Sequence, residues 1–511
     1  MFFEKHMLPH SFRAYIKQDI EIRIILILSL VVIMVQYFIF KNMYPFPNFL
    51  PDSYTYIEAA FYNLDISIWP IGYSKFLRFV SVFNYTGMGL FFVQYVLLQG
   101  SILFFILTIC FIVNPGRWLI RIMFGLMVLN PLWLYVSDFV SSDALFAALS
   151  LIWLTTLLLI IYSPTIDLLI VHGLVLFFVF SVRYNALYYP IFSFSVILLS
   201  KVRPRIKLLR LAIVCLPVLV FIGYTTSLYK KKYDTAQFSP FGGWQLASNA
   251  MYMYSHVAPN TPKKVPPSLA KLHALTLHHM DSLNNVNQFI RPDKILGPYY
   301  LWDANAPMKS YLVKYSIGDS TTPYIKKWAQ LAPLYNEYGS WLIRQYPIEF
   351  ARYYLLPNFI NYYTPSQEFL AKYNMGDDTI SSGAVDWFKY KTNKVHGYSK
   401  DKLISVTSIF PTSLAIINVL FISCFLGCLF LNVFSHINST SKKILILLFL
   451  VWGANLTFSV IASPIVLRYQ VFPFIFTLTF VIVLIGYLIK EKDKESTINE
   501  NEKDMEADNL I

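Results

Sequence analysis

The chain has 511 residues, 56% hydrophobic, 17% aromatic and only 14% charged, whereas charged residues make up about a quarter of a soluble domain. That balance excludes an ordinary soluble globular protein and makes the bilayer the solvent. A formal net charge of +13 would suggest nucleic acid in a soluble chain. Here the basic residues sort first by side of the membrane, most of the excess proves topological, and no nucleic-acid partner is expected.

Met1 to Glu21 mixes polar and aromatic residues, so no cleavable signal peptide is expected and the apolar run that follows reads as an uncleaved anchor. Apolar runs long enough to cross about 30 Å of hydrocarbon recur, without the alternating pattern of an outer-membrane barrel. They predict about ten spans, near residues 22–40, 90–113, 119–137, 144–162, 168–182, 185–200, 211–229, 404–434, 444–462 and 469–489. The fold expected is therefore an all-α polytopic membrane protein. Cys110, Cys215, Cys424 and Cys428 all fall inside these runs, so no disulfide framework is expected.

With both termini cytoplasmic, the basic groups Lys5/Arg13/Lys17, Arg117/Arg121, Lys201 to Arg210, Lys442/Lys443 and Lys490/Lys492/Lys494 all fall on the inner side, as the positive-inside rule requires. One helix lost or wrongly split would throw later clusters outside, so the agreement tests the count as well as the orientation. The outer side then holds two long segments, 41–89 and 230–403, both too aromatic to be disordered linkers. The larger contains helix-like stretches at Ala329–Tyr346 and Pro347–Tyr363 and is expected to fold as an α-rich extracytoplasmic domain on the membrane surface, inserted between the seventh and eighth spans. The domains expected are thus a membrane module 1–229 containing the first outer loop, the domain 230–403, the spans of 404–489, and a charged tail, 490–511, without regular structure.

Charge meets the membrane at a few places, all on the expected outer face. Asp52 follows the first span in Pro51-Asp52-Ser53, where it is equally a good helix N-cap. Asp138 and Asp143 share the turn between the third and fourth spans, two acids where one cap would do. Arg183 and Arg468 stand alone in short outer turns, against the positive-inside preference. Snorkelling or pairing with the nearby acids would explain them, and so would bidentate capture of a lipid-borne phosphate. Lys75 and Arg78, on an expected interfacial helix, and Lys230–Lys232 are weaker candidates that suit lipid headgroups. His278-His279 with Asp281 lacks a third spaced metal ligand, and His172, beside Gly173 within a span, reads as a packing histidine. No Gly-rich phosphate loop, paired-Cys motif, zinc-helix motif or nucleophile elbow is present.

These marks resemble the GT-C superfamily of membrane glycosyltransferases, which includes protein O-mannosyltransferases and lipid A aminoarabinose transferases. The resemblance lies in the first outer-loop acid Asp52 followed by Tyr56, the Pro70-Ile71-Gly72-Tyr73 element, the acid-bearing turn from Pro131 to Phe146, Val182-Arg183-Tyr184, and Arg468-Tyr469 with Pro473. It implies an integral transferase of the bacterial inner membrane, its site facing the periplasm, that moves a sugar from a polyprenyl-phosphate donor to an extracytoplasmic acceptor with inversion. Asp52 carries over as the base, Asp143 as a second acid, Arg183 and Arg468 as donor-phosphate contacts, and Asp138, Tyr56, Arg78, Lys75 and Tyr469 as secondary candidates. A Mg²⁺ or Mn²⁺ cofactor is left open. The family's adjacent Asp-Glu pair is missing, since Ser53 follows Asp52, which tells against a protein acceptor.

Two rivals remain. A lipid-linked polysaccharide polymerase or O-antigen ligase also combines many helices, large outer loops and arginine; the first-loop acid favours the transferase. A transporter or flippase would place ionisable groups near mid-membrane, where only His172 lies.

Overall fold

The computed structural model describes residues 12–257, 264–284, 291–316, 322–399 and 401–508, with side chains as far as Lys492. Lys5 and the side chain of Lys494, both used above as orientation marks, lie outside that description. Among the described residues the chain is helical, with no sheet and only isolated bridge pairs.

Eight helices are long and apolar enough to cross a membrane, so the chain is an integral membrane protein. They are α1 (Ile20–Met43), α4 (Gly87–Val113), α5 (Arg117–Asp138), α6 (Asp143–Tyr162), α9 (Pro204–Tyr233), α13 (Ser405–Phe430), α14 (Ser439–Ala462) and the stretch Leu467–Lys492. The numbering leaves room for α2 (Pro51–Phe61) and α3 (Gly72–Phe83) of the first outer loop. The expected fifth and sixth spans are occupied by shorter apolar helices, α7 (Ile166–Val182) and α8 (Tyr184–Leu199). The former has 17 residues, at the short end of the about 17–25 that cross a bilayer.

Ion pairs show which helix ends lie together. At one end Arg117 meets Asp19 at 2.5 Å, Arg121 meets Glu21 at 2.7 Å, and Lys490 reaches the Asn114 carbonyl at 3.1 Å. At the other, Lys41 meets Asp138 at 2.7 Å, and Arg183 and Arg468 meet Asp143. Burial separates centre from rim: α4 is 78% and α6 and Leu467–Lys492 each 72% buried, against 11% for α9. The two candidate site residues Asp143 and Arg468 thus stand at the ends of central helices, the ones least free to shift.

The last helix, α15 (Val471–Asp508), differs from the expectation for the tail, because it runs on through Lys490 as far as Asp508. The tail has no Gly or Pro beyond Gly486 and is rich in Glu and Lys, both good helix formers.

The segment between α9 and α13 is built on α10 (Pro240–Tyr254) against α11 (Tyr324–Gln345), with Trp244 stacked on Trp328 at 4.9 Å and its indole N–H donated to the Trp328 carbonyl at 2.9 Å. The helices touch through glycine: a Cβ at Gly243 would stand 2.1 Å from the Ala332 carbonyl oxygen. Gly243→Ala is therefore expected to destabilise this segment by about 1–3 kcal/mol, seen as a lower thermal midpoint; an unchanged midpoint would mean that α10 and α11 part easily.

Residues 347–363 follow as α12, which widens to a π turn at Ala351–Leu355 just before Pro357. A proline has no N–H to offer the preceding turn, and the wider turn absorbs the mismatch. Both helices expected in this region are present, with α11 starting at Tyr324. α12 lies on α14: Asn358 donates to the Val460 and Ser463 carbonyls at 2.8 Å each and accepts from the Ile465 N–H at 2.9 Å. One side chain thereby satisfies the frayed end of α14 and fixes the turn that leads to Arg468.

Candidate functional site

Asp52 is placed by backbone clamps. After α1 the chain runs beside the α5–α6 turn, Asn48 donating its N–H to the Asp138 carbonyl and accepting from the Val140 N–H, both at 2.9 Å. Gln94 of α4 steadies that turn by donating to the Ser137 and Phe139 carbonyls at 2.7 and 3.0 Å. Pro51 then opens α2, its missing N–H costing nothing at a first helical position. Ser53, not Asp52, serves the helix start, accepting from the Leu50 N–H at 2.8 Å. Asp52 makes no capping bond, so the capping role that rivalled a functional one is taken by a neighbour, and the Asp52 carboxylate lines a cavity of about 730 Å³.

A second clamp brings in a residue that the sequence did not point to. Ser366 pairs with Val466, the Leu467 N–H donating to the Ser366 carbonyl at 2.9 Å. Glu368 is thereby set against Arg468, whose Nε donates to Glu368 Oε2 at 3.1 Å.

The resulting cluster holds three carboxylates and two guanidiniums. Asp143, its side chain wholly buried, accepts from Arg183 on one oxygen and, on the other, from Arg468 Nη1 at 3.1 Å and Ser141 Oγ at 2.7 Å. Arg468 Nη2 donates to the Tyr469 hydroxyl at 2.8 Å and lies 3.9 Å from Asp52 Oδ2. Both guanidiniums rest near the Tyr469 ring, Arg183 at 4.6 Å and Arg468 at 4.5 Å from its centroid, an arrangement that suits arginine's flat, weakly hydrated head. Tyr56 also lines the cavity, its hydroxyl 3.1 Å from Ser142 Oγ.

Burial raises the Asp52 carboxyl above the usual carboxylate range, against the pull of Arg468 and with Asp143 adding to the rise. An acid so placed is poised to take and release a proton. Its side chain keeps 23% exposure where Asp143 has none, and Asp143 does not line the cavity. Asp143 thus faces the two arginines and not the cavity, whose lining acids are Asp52, Glu58 and Glu368.

The other predicted residues part company here. Asp52, Tyr56, Arg183, Arg468 and Tyr469 converge on the cavity. Asp138 does not; it is buried against Lys41 of α1 at 2.7 Å, both side chains 2% exposed. Successive acids in one tight turn face opposite ways, and Asp138 serves to tie α1 to α5. Arg78 donates to the Ala60 carbonyl at 3.1 Å, closing the end of α2, and Lys75 donates to Asn63 Oδ1 at 2.9 Å and pairs with Asp65. Neither lines the cavity. Lys232, also near Asp65, lies at the end of α9. His172 is saturated by Thr156 at 2.7 Å and Ser193 at 2.8 Å, a packing histidine as its sequence context suggested. His279 meets the Tyr299 hydroxyl at 3.1 Å, and no cluster of three or more His, Cys, Asp or Glu suited to a metal ion occurs among the described residues.

Compared with protein-family models, with curated proteins and with solved structures, the chain matches none.

Proposed function

We propose that the chain is a GT-C-like membrane glycosyltransferase, moving a sugar from a polyprenyl-phosphate donor to an extracytoplasmic acceptor with inversion. The observation that carries this reading is Asp52: a cavity-facing carboxylate of raised pKa, 3.9 Å from a guanidinium that is 6% exposed. Attack at an anomeric carbon needs a base on the acceptor side and charge stabilisation for the departing phosphate. Asp52 removes the acceptor proton, and Arg468 and Arg183, held by Asp143 and Tyr469, meet the phosphate. Because the arginines are already ion-paired, their geometry is set before substrate arrives, and the donor phosphate adds to the network instead of assembling it.

The test is release of polyprenyl phosphate from a panel of polyprenyl-phosphate sugars by protein in nanodiscs, with membrane extract as acceptor source. Wild type is expected to consume at least one donor, and Arg468→Ala to lose most of that turnover. If no donor is consumed while a pyrophosphate-linked glycan is elongated or transferred, the polymerase or ligase reading replaces this one.

The same reading puts the cavity outside, since the helix ends opposite it carry Arg117, Arg121, Lys442, Lys443 and Lys490. In sealed right-side-out vesicles a membrane-impermeant maleimide should label exposed Ala236→Cys, near the cavity end, and not exposed Ser435→Cys. The reverse labelling would turn the protein over.

A further inference from the structure

The cavity has two unlike walls. Its floor, at the ends of the membrane helices, carries Asp52, Arg183, Glu368 and Arg468. The roof, drawn from Phe241 to Ile325 of the segment between α9 and α13, has no Asp, Glu, Lys or Arg among the described lining residues; Phe241, Trp302 and Tyr324 dominate it, and Trp69 of the first outer loop completes it. The rings form a continuous series, Trp69 lying 4.8 Å from Phe241 and 5.8 Å from Trp302, and Tyr56 of the floor 6.3 Å from Trp69. Trp69 and Trp302 are half-buried and Tyr324 is 47% exposed, so the rings keep surface that protein does not cover.

A lysine stiffens this wall from behind. Lys309, on the helix Pro307–Tyr315, sits 4.7 Å from the Trp302 centroid and 5.2 Å from those of Trp244 and Tyr324, and donates to the Tyr324 hydroxyl. Burial among the rings lowers its pKa to about 8, and among the described residues it has no carboxylate partner. A cation over several ring faces fixes their positions, which is of use where flat plates must be presented to a ligand.

A pyranose ring offers a flat C–H face surrounded by hydroxyl groups. It therefore needs an aromatic plate with hydrogen-bonding groups beside it, and Thr55, Glu58 and Gln245 line the same cavity. An isoprenoid chain has no use for those polar groups, and a basic peptide would call for acids in the roof. We propose that Trp69, Trp302 and Tyr324 form a stacking subsite for a sugar ring of the acceptor, which makes the acceptor a glycan. The word acceptor rests on the transferase reading; carbohydrate binding by this wall does not.

The experiment is saturation-transfer NMR on the full chain in nanodiscs, with soluble gluco-, manno- and chito-oligosaccharides as one set of probes and sugar-free polyprenyl phosphate as the other. At least one oligosaccharide series should bind, Trp302→Ala and Tyr324→Ala should each weaken it about tenfold, and Lys75→Ala, at an exposed residue outside the cavity, should bind it as wild type does. Tyr324, being exposed, provides a variant whose folding is not in question. Absence of saturable binding by any series at concentrations on the order of tens of millimolar overturns the proposal, as does weakening of polyprenyl phosphate binding alone in the two aromatic variants. Sugar binding without donor consumption would keep the subsite and remove the transferase; donor consumption without sugar binding would do the opposite.

Discussion

Asp52→Asn is expected to lower sugar transfer by about a hundred- to ten-thousandfold, the usual range for loss of a general base, while donor binding survives. Asparagine keeps the shape and cannot accept the proton. The wild-type rate should also depend on pH in a direction that follows from burial. Under the proposed mechanism the ionised carboxylate is the active form, and its pKa is raised. Activity should therefore fall on acidification with a midpoint above the about 3.9 of an ordinary aspartate, and level off above that midpoint. Initial rates over about pH 4 to 8, taken on both proteins, decide the matter. The limb should vanish in Asp52→Asn along with most of the rate; a variant that transfers at the wild-type rate would leave Asp52 as a counter-charge beside Arg468 and no base.

The second large effect concerns stability. Asp143 pairs with both guanidiniums at once, and Asp143→Ala leaves Arg183 without its carboxylate and facing Arg468, which keeps Glu368. Removing one partner of a buried ion pair costs about 3–5 kcal/mol because the remaining charge is stranded. The variant should show a sharply lower thermal midpoint and poor recovery in detergent. Adding Arg183→Met should win back part of the loss, since it removes the stranded charge, and that non-additivity is the signature of coupling. Two substitutions that simply add would mean that Asp143 and Arg183 act independently.

The membrane helices were legible because each apolar run is long and uninterrupted, and such a run has few other fates. α7 and α8 were legible as apolar segments with nearly their observed bounds, 168–182 and 185–200 against Ile166–Val182 and Tyr184–Leu199, because the polar turns at Arg183 and Ser200 interrupt the apolar runs. Arg183 and Arg468 stood out because an arginine at an outer helix end needs a partner. Their shared partner was a different matter. Asp138 and Asp143 lie in one turn, and only the fold reveals that Lys41, a residue of α1 given no role beforehand, claims the first while the arginines claim the second. Glu368 was invisible for a related reason. It sits in a long segment of mixed polarity without periodicity, and it acquires meaning only from the Ser366–Val466 pairing a hundred residues away in the chain. The aromatic richness of 230–403 was plain in the composition and pointed to a folded segment, but which of its rings line the cavity depends on the fold.

The shortness of α7 and α8 has a consequence for the lipid around them. At about 1.5 Å per residue they reach about 25 Å, some 5 Å less than the hydrocarbon of an average bilayer. Hydrophobic mismatch of this size is met by thinning the bilayer locally. Thinning beside the Arg183 turn would bring lipid phosphates closer to it, and under the proposed transferase reading it would shorten the path of a lipid-borne donor out of its leaflet. Acyl-chain length would then act through two helices that form none of the cavity's acids.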